Sequence, residues 1–276
     1  MKKMNNIALF DMDGTLTPAR QAVGAEMLKK LEELSKYARI GIVSGSGYDY
    51  IMEQIGNEIL KQSFCEQVDI MPCNGTLRYK IERISIQAKT TLVSSVDMRE
   101  KLGNKEFNQL MKKCVIALQW FQNRYQYPMT GNFISNRGSL VNLCPIGRNA
   151  NQEQRGMFEA LDSEYNVREE LNNYLHGSCG IPKGLVTGLG GTTSIDIYPE
   201  GWDKTYALNY YDSTKDRVFF VGDRCDGQGN DAAIYNHLNQ SSEGFGRRGA
   251  AWKTTNPNQT IERIDTIISW IGEKNV

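Results

Sequence analysis

Four short, largely apolar runs in this chain each stop abruptly at a polar residue. They are Ile7–Phe10 before Asp11, Ile40–Val43 before Ser44, Val68–Met71 before Asn74, and Val218–Val221 before Gly222-Asp223. Runs of that kind mark strands buried on both faces of a parallel sheet. Helical patterns lie around them. Met27, Leu28, Leu31 and Leu34 share a face in 24–36, and Ile51, Ile55 and Ile59 recur in 49–60. Near the end, Ile261, Ile264, Ile268 and Ile271 form a stripe starting at about Gln259. Strand and helix alternating in this way predict an α/β fold with a Rossmann-like, doubly wound parallel sheet.

The third run ends at Met71 and the fourth begins only at Val218, so the core is interrupted by an insert. The expected division is a discontinuous core, 1–86 with 188–276, and an α+β cap over 87–187. Within that region a helix near 105–122 carries Phe107, Leu110, Met111, Cys114, Leu118 and Phe121 on its apolar side. Asn132–Asn136 and Ser139–Pro145 flank Arg137-Gly138 and read as an antiparallel hairpin. Helices follow at 151–161 and 163–175, then strands at Leu185–Gly188 and Ser194–Tyr198 across a Gly190-Gly191 break.

The chemistry gathers where the runs stop, because open α/β sheets bind ligands at the carboxyl ends of their strands. Asp11 and Asp13 follow the first run two residues apart, so extended chain points both side chains the same way. One carboxylate can attack an electrophile while the other moves a proton. Ser44-Gly45-Ser46 offers hydroxyls and backbone N–H groups to a phosphate at the start of a helix. Lys204 stands at a turn in Pro199-Glu200-Gly201-Trp202-Asp203-Lys204. The acid- and glycine-rich segment from Gly222-Asp223 to Asn230-Asp231 suits Mg²⁺, which takes few carboxylates and keeps several waters. With two histidines in 276 residues, carboxylates have to do the work of histidine-based metal or triad chemistry.

Other classes lose ground on composition. Net charge is zero, which removes the electrostatic case for nucleic acid or an anionic membrane. No apolar stretch approaches membrane-spanning length, and the N-terminal apolar run is too short for a signal peptide. Six scattered cysteines without C-x-x-C spacing fit free thiols in a reducing compartment, so a cytoplasmic location is expected.

The ordered set Asp-x-Asp-Gly-Thr, Ser, Lys and Gly-Asp…Asn-Asp resembles the four-motif signature of the haloacid dehalogenase (HAD) superfamily of phosphotransferases. More narrowly, Phe10–Gln21, Asn74-Gly75-Thr76, Val141–Arg148 and Ser194–Lys204 resemble the eukaryotic-type phosphomannomutases, in both presumed domains. The resemblance implies an isomerase that interconverts mannose 6-phosphate and mannose 1-phosphate. An aspartyl-phosphate on Asp11 and a hexose bisphosphate would be its intermediates, with Mg²⁺ as cofactor and a hexose 1,6-bisphosphate as activator. Asp13 would be the acid/base, and Ser46 or Ser44 would bond a phosphoryl oxygen. Lys204 would offset the carboxylate charge, and Asp11, the Asp13 carbonyl and Asp223 would hold the metal. Arg20, Arg137, Arg148, Ser194 and Asp196 would bind the sugar phosphate, the only small-molecule partner expected besides a second copy in a homodimer formed through the cap.

Some positions depart from the family pattern. Thr130 stands where family members carry a further arginine, with Arg124 a nearby basic residue. Thr192 replaces a methionine, and the segment Ala232–Gly246 follows its own course. A missing cation beside the substrate favours the alternative, a HAD-type sugar-phosphate phosphatase on the same fold.

Overall fold

The computed structural model describes residues 4–240, 243–246 and 249–273. Ser241 and Ser242, within the divergent segment, lie outside the described residues. The chain divides into two compact units, one comprising the residues up to Ser95 and from Trp202 onward, the other Val96–Gly201.

The first unit is a seven-stranded sheet flanked by helices. In chain order it holds β1 (Asn5–Phe10), α1 (Ala25–Ser35), β2 (Arg39–Val43) and α2 (Tyr48–Ile51), then a π-helical turn (Met52–Gly56) leading into α3 (Asn57–Leu60). β3 (Val68–Met71), β4 (Leu77–Ile84) and β5 (Gln87–Ser95) follow. The strands run in the order β11-β10-β1-β2-β3-β4-β5, where β10 (Asp216–Gly222) and β11 (Ala250–Lys253) come from the far end of the sequence. All pairings from β11 to β3 are parallel, and the β4–β5 hairpin adds antiparallel to β3.

Both faces are covered, which is why β1 and β10 read as unbroken apolar runs. Ala8 and Phe10 of β1 pack with Phe219 and Val221 of β10 against α1 and α8 (Pro257–Glu273). Ile7, Leu9, Val218 and Phe220 pack on the opposite side with Ile234 and Leu238 of α7 (Ala232–Gln240). The wider π turn has a consequence for packing. Four-residue spacing drifts around an α-helix, but an underwound turn keeps Ile51, Ile55 and Ile59 on one side, and all three are fully buried.

The second unit carries a four-stranded sheet in the order β6-β7-β9-β8, built from β6 (Ile134–Asn136), β7 (Val141–Leu143), β8 (Leu185–Gly190) and β9 (Ser194–Pro199). Its helices are α4 (Met98–Gln122), α5 (Gln152–Tyr165) and α6 (Val167–His176). Helix α4 breaks at Gly103 (φ 78°), so its long regular part begins near the expected residue 105. Phe107, Leu110, Cys114 and Phe121 of the expected face are buried.

The expected core and cap boundaries, after 86 and after 187, need correction. Gln87–Ser95 pairs with β4 along its whole length and so belongs to the first unit. β9 lies beside β7, with Asn142 opposite Asp196, and β8 pairs with β9, so residues 188–201 belong to the second. All six cysteines are buried and free. Among the described residues no helix is long and apolar enough to cross a membrane.

Candidate active site

Strand order reverses between β1 and β10, the position where open α/β sheets leave a crevice for ligands. Asp11 ends β1 there, and its N–H donates to the Val221 carbonyl of β10 at 3.0 Å. The chain then turns tightly, with the Gly14 N–H on Thr17 O (2.7 Å) and the Leu16 and Thr17 N–H groups on Met12 O. Gly14 has φ +82°, and a Cβ on it would lie 2.5 Å from Asp223 Oδ2. Only glycine lets this turn sit against the end of β10.

Lys204 begins the 3₁₀ helix Lys204–Tyr210, started by Asp203, whose Oδ1 accepts from the Thr205 N–H at 2.8 Å. Its side chain is fully buried, and Nζ donates to both Asp11 Oδ1 and Asp231 Oδ1. The other Asp231 oxygen accepts from the Arg224 N–H at 3.0 Å, folding the loop after β10 back on itself. Burial pulls the Lys204 ammonium down, but Asp11 and Asp231 together outweigh it and hold its pKa above the ordinary value. Burial pushes the Asp11 carboxyl well up; Lys204 opposes this, while Asp231 and Asp223 add to it. The Asp223 carboxyl is likewise raised, by burial first and then by Asp231.

Lys204 thus bridges Asp11 and Asp231, Arg224 Nε lies 4.0 Å from Asp223 Oδ2, and a divalent cation would offset the mutual repulsion of the three carboxylates. The oxygens of Asp11, Asp223 and Asp231 lie within 4.8 Å of one another. Within this group Asp223 Oδ1 is buried and has no hydrogen-bond partner, which leaves a hard oxygen donor for an ion. This donor set fits Mg²⁺ chemistry.

Asp13 is half-buried beside this centre in sequence, and its Oδ1 accepts from the Arg20 backbone N–H (3.0 Å) and the Tyr50 hydroxyl (2.9 Å). The Arg20 side chain is exposed. Ser44 Oγ accepts from the Ser46 N–H at 3.1 Å, so Ser44 shapes the turn after β2 while Ser46 stands at its more open end.

In the second unit, Asn142 Nδ2 donates to Ser194 Oγ (2.9 Å) and Asp196 Oδ1 (2.6 Å), and Arg148 Nη1 donates to Asn142 Oδ1 (3.2 Å). Arg148, Ser194 and Asp196 are therefore brought together, on one face of β7 and β9, through Asn142. Arg137 sits apart in the turn after β6, at the opposite end of β7, its N–H on Leu140 O. Thr130 Oγ1 donates to Ile146 O at 2.8 Å. Arg124 is engaged elsewhere, paired with Glu170 at 2.7 Å and lying over Trp120.

Sequence reasoning selected Asp223 from its loop and passed over Asp231, although Asn230-Asp231 closes the same acidic segment. It also passed over Asn142, whose only signal is a polar residue between Val141 and Leu143 in an otherwise apolar strand.

A switch-point aspartate, a buried lysine bridging two acids and a third acid within 4.8 Å together make a pocket of charge suited to a divalent cation and an anionic ligand. Solved structures agree on the fold: the IMP-nucleotidase of Plasmodium falciparum, as its IMP-bound D172N mutant, superposes with a TM-score of 0.62 at 14% identity, covering 96% of this chain and 67% of that one. A family model for eukaryotic phosphomannomutase matches residues 27–270. The chain is 34% identical to a phosphomannomutase of Encephalitozoon cuniculi over 272 residues, covering 96% of this chain and 94% of that protein. It is 34% identical to human phosphomannomutase 1 over 236 residues, covering 85% and 84%. This chain belongs to the eukaryotic phosphomannomutase family.

Proposed function

We propose that the protein interconverts mannose 6-phosphate and mannose 1-phosphate, with Asp11 as the group that carries phosphate. The observation that supports this most is the buried contact of Lys204 with Asp11 in a member of this family. Lys204 stays charged and fixes one Asp11 oxygen, leaving the other to attack phosphorus in line with the departing sugar oxygen. Asp13 gives that oxygen a proton and later withdraws one from the accepting hydroxyl. Ser46 donates to a phosphoryl oxygen. Asp11, Asp223 and the Asp13 carbonyl would hold Mg²⁺, with Asp231 positioned to join them, and the bound ion would offset charge on the transferring group.

Arg148, Ser194 and Asp196, tied together by Asn142, offer a guanidinium fork, a hydroxyl and a carboxylate to a phosphosugar, with Arg137 and Arg20 as further cations. A hexose 1,6-bisphosphate fits this reading as activator, since it can phosphorylate Asp11 from either end. A cytoplasmic homodimer belongs to the same reading. The six free thiols support the location, and exposed Val115 and Ile116 on α4 support self-association.

Incubation with mannose 1-phosphate, Mg²⁺ and a bisphosphate activator is expected to yield mannose 6-phosphate without matching release of inorganic phosphate. Phosphate release with no mannose 6-phosphate would reject the mutase in favour of a phosphatase.

A further inference from the structure

The second acid of the Asp-x-Asp pair is held by a contact that its own motif does not supply. Asp13 Oδ1 accepts two hydrogen bonds, one from the Arg20 backbone N–H at 3.0 Å and one from the Tyr50 hydroxyl at 2.9 Å. The two donors come from different parts of the fold. Arg20 sits in the loop after β1 with φ 60°, a left-handed conformation uncommon for a residue with a Cβ, and its N–H is aimed at Asp13. Tyr50 belongs to α2 and enters the π-helical turn, its ring packed against the core cluster that holds Ile51 and Ile55. A ring anchored in that way has little freedom to follow a moving carboxylate.

The geometry points to Tyr50 as a positioning residue for Asp13, an inference that rests on the acid/base role proposed above. Two donors on Oδ1 occupy its accepting lone pairs, so a proton carried by this carboxyl resides on Oδ2. The same bonds fix the side-chain rotamer, so Oδ2 is the oxygen presented to the sugar. When the Asp11 oxygen bonds to phosphorus and the bond from phosphorus to the sugar oxygen breaks, the Oδ2 proton passes to that sugar oxygen. In the reverse direction the hydroxyl proton returns to Oδ2. Burial, and then the neighbouring Asp13 charge, raise the Tyr50 hydroxyl above its ordinary pKa, so it remains a donor.

Tyr50→Phe tests this, since it removes one oxygen and keeps the packed ring. With mannose 1-phosphate, kcat is expected to fall on the order of tenfold, the worth of one hydrogen bond to a charged group, while KM stays nearly constant. With p-nitrophenyl phosphate and enzyme in excess, the single-turnover release of nitrophenolate should be unchanged, because that leaving group needs no proton. In an Asp13→Asn background, Tyr50→Phe should add no further loss. An unchanged kcat for the sugar phosphate would overturn the inference. So would an equal loss with the aryl phosphate, which would mark Tyr50 as a support of the fold. If the wild-type protein hydrolyses sugar phosphates instead of isomerising them, the mutase reading fails. The Tyr50 comparison still decides, because hydrolysis also requires a proton on the departing sugar oxygen.

Discussion

Asp11→Asn is expected to reduce turnover by a factor on the order of 10⁴ or more while the protein stays folded. An amide cannot form the acyl phosphate. The folded state tolerates the change for a reason visible in the site. Burial already disfavours the Asp11 charge, and Lys204 keeps its bond to Asp231 when Asp11 is neutral. Steady-state assay beside a thermal melt checks both halves: activity lost, with a melting temperature no lower than that of the wild type. An early melt would mean that Asp11 holds the fold together, and the activity loss would then carry no mechanistic weight.

Lys204→Met should damage both activity and stability. Lys204 is fully buried, and removing it leaves Asp11 and Asp231 without their shared cation. Breaking a buried ion pair from one side costs about 3–5 kcal/mol. Loss of a fixed charge beside the reacting carboxylate costs about 10²–10³ in kcat. The stability loss has a definite pH dependence. The Asp11 and Asp223 carboxyls have pKa values raised in the folded state, so that state binds their protons more tightly than the unfolded chain does. Such groups favour folding below the unfolded carboxyl pKa of about 4, and that contribution disappears as the pH rises through the folded pKa. Without the lysine the shift grows. Urea unfolding should therefore show a small deficit for the variant near pH 4 to 5 and the full deficit near pH 8. A deficit equal at both pH values would contradict the electrostatic account of this lysine.

The strands that carry chemistry were legible in the sequence because they are buried on both faces. Ile7–Phe10 and Val218–Val221 could only be inner strands, and their ends located Asp11 and Asp223. The β4–β5 hairpin escaped notice for the opposite reason. It forms the edge of the sheet and is largely exposed, so charged residues such as Arg78, Lys80, Glu82 and Arg83 broke any apolar run. β11 reads Ala-Ala-Trp-Lys, without the β-branched residues that mark the other core strands, so it does not stand out. Missing the hairpin drew the first boundary too early. The second was misplaced because a strand's sheet partner is a tertiary fact: nothing local to Ser194–Pro199 says that it pairs with Val141–Leu143.

Within the site, spacing along one strand end was readable, and contacts across the chain were not. Asp11 with Asp13, and Ser194 with Asp196, follow from a two-residue period. The Lys204 bridge from Asp11 to Asp231 joins three separate segments, and the Tyr50 contact with Asp13 spans 37 positions. Tyr50 carried no pattern of its own, being one of two tyrosines on a four-residue helix.

The account depends on phosphate residing on one particular carboxylate during turnover. The most direct measurement is to mix the enzyme with a hexose bisphosphate and Mg²⁺, quench in acid to preserve acyl phosphates, digest with pepsin and weigh the peptides. The peptide containing Asp11 should gain the mass of one phosphoryl group, and fragmentation should assign it to Asp11 rather than Asp13. Turnover with that peptide unmodified, or with the phosphoryl group on any other residue, would contradict the mechanism.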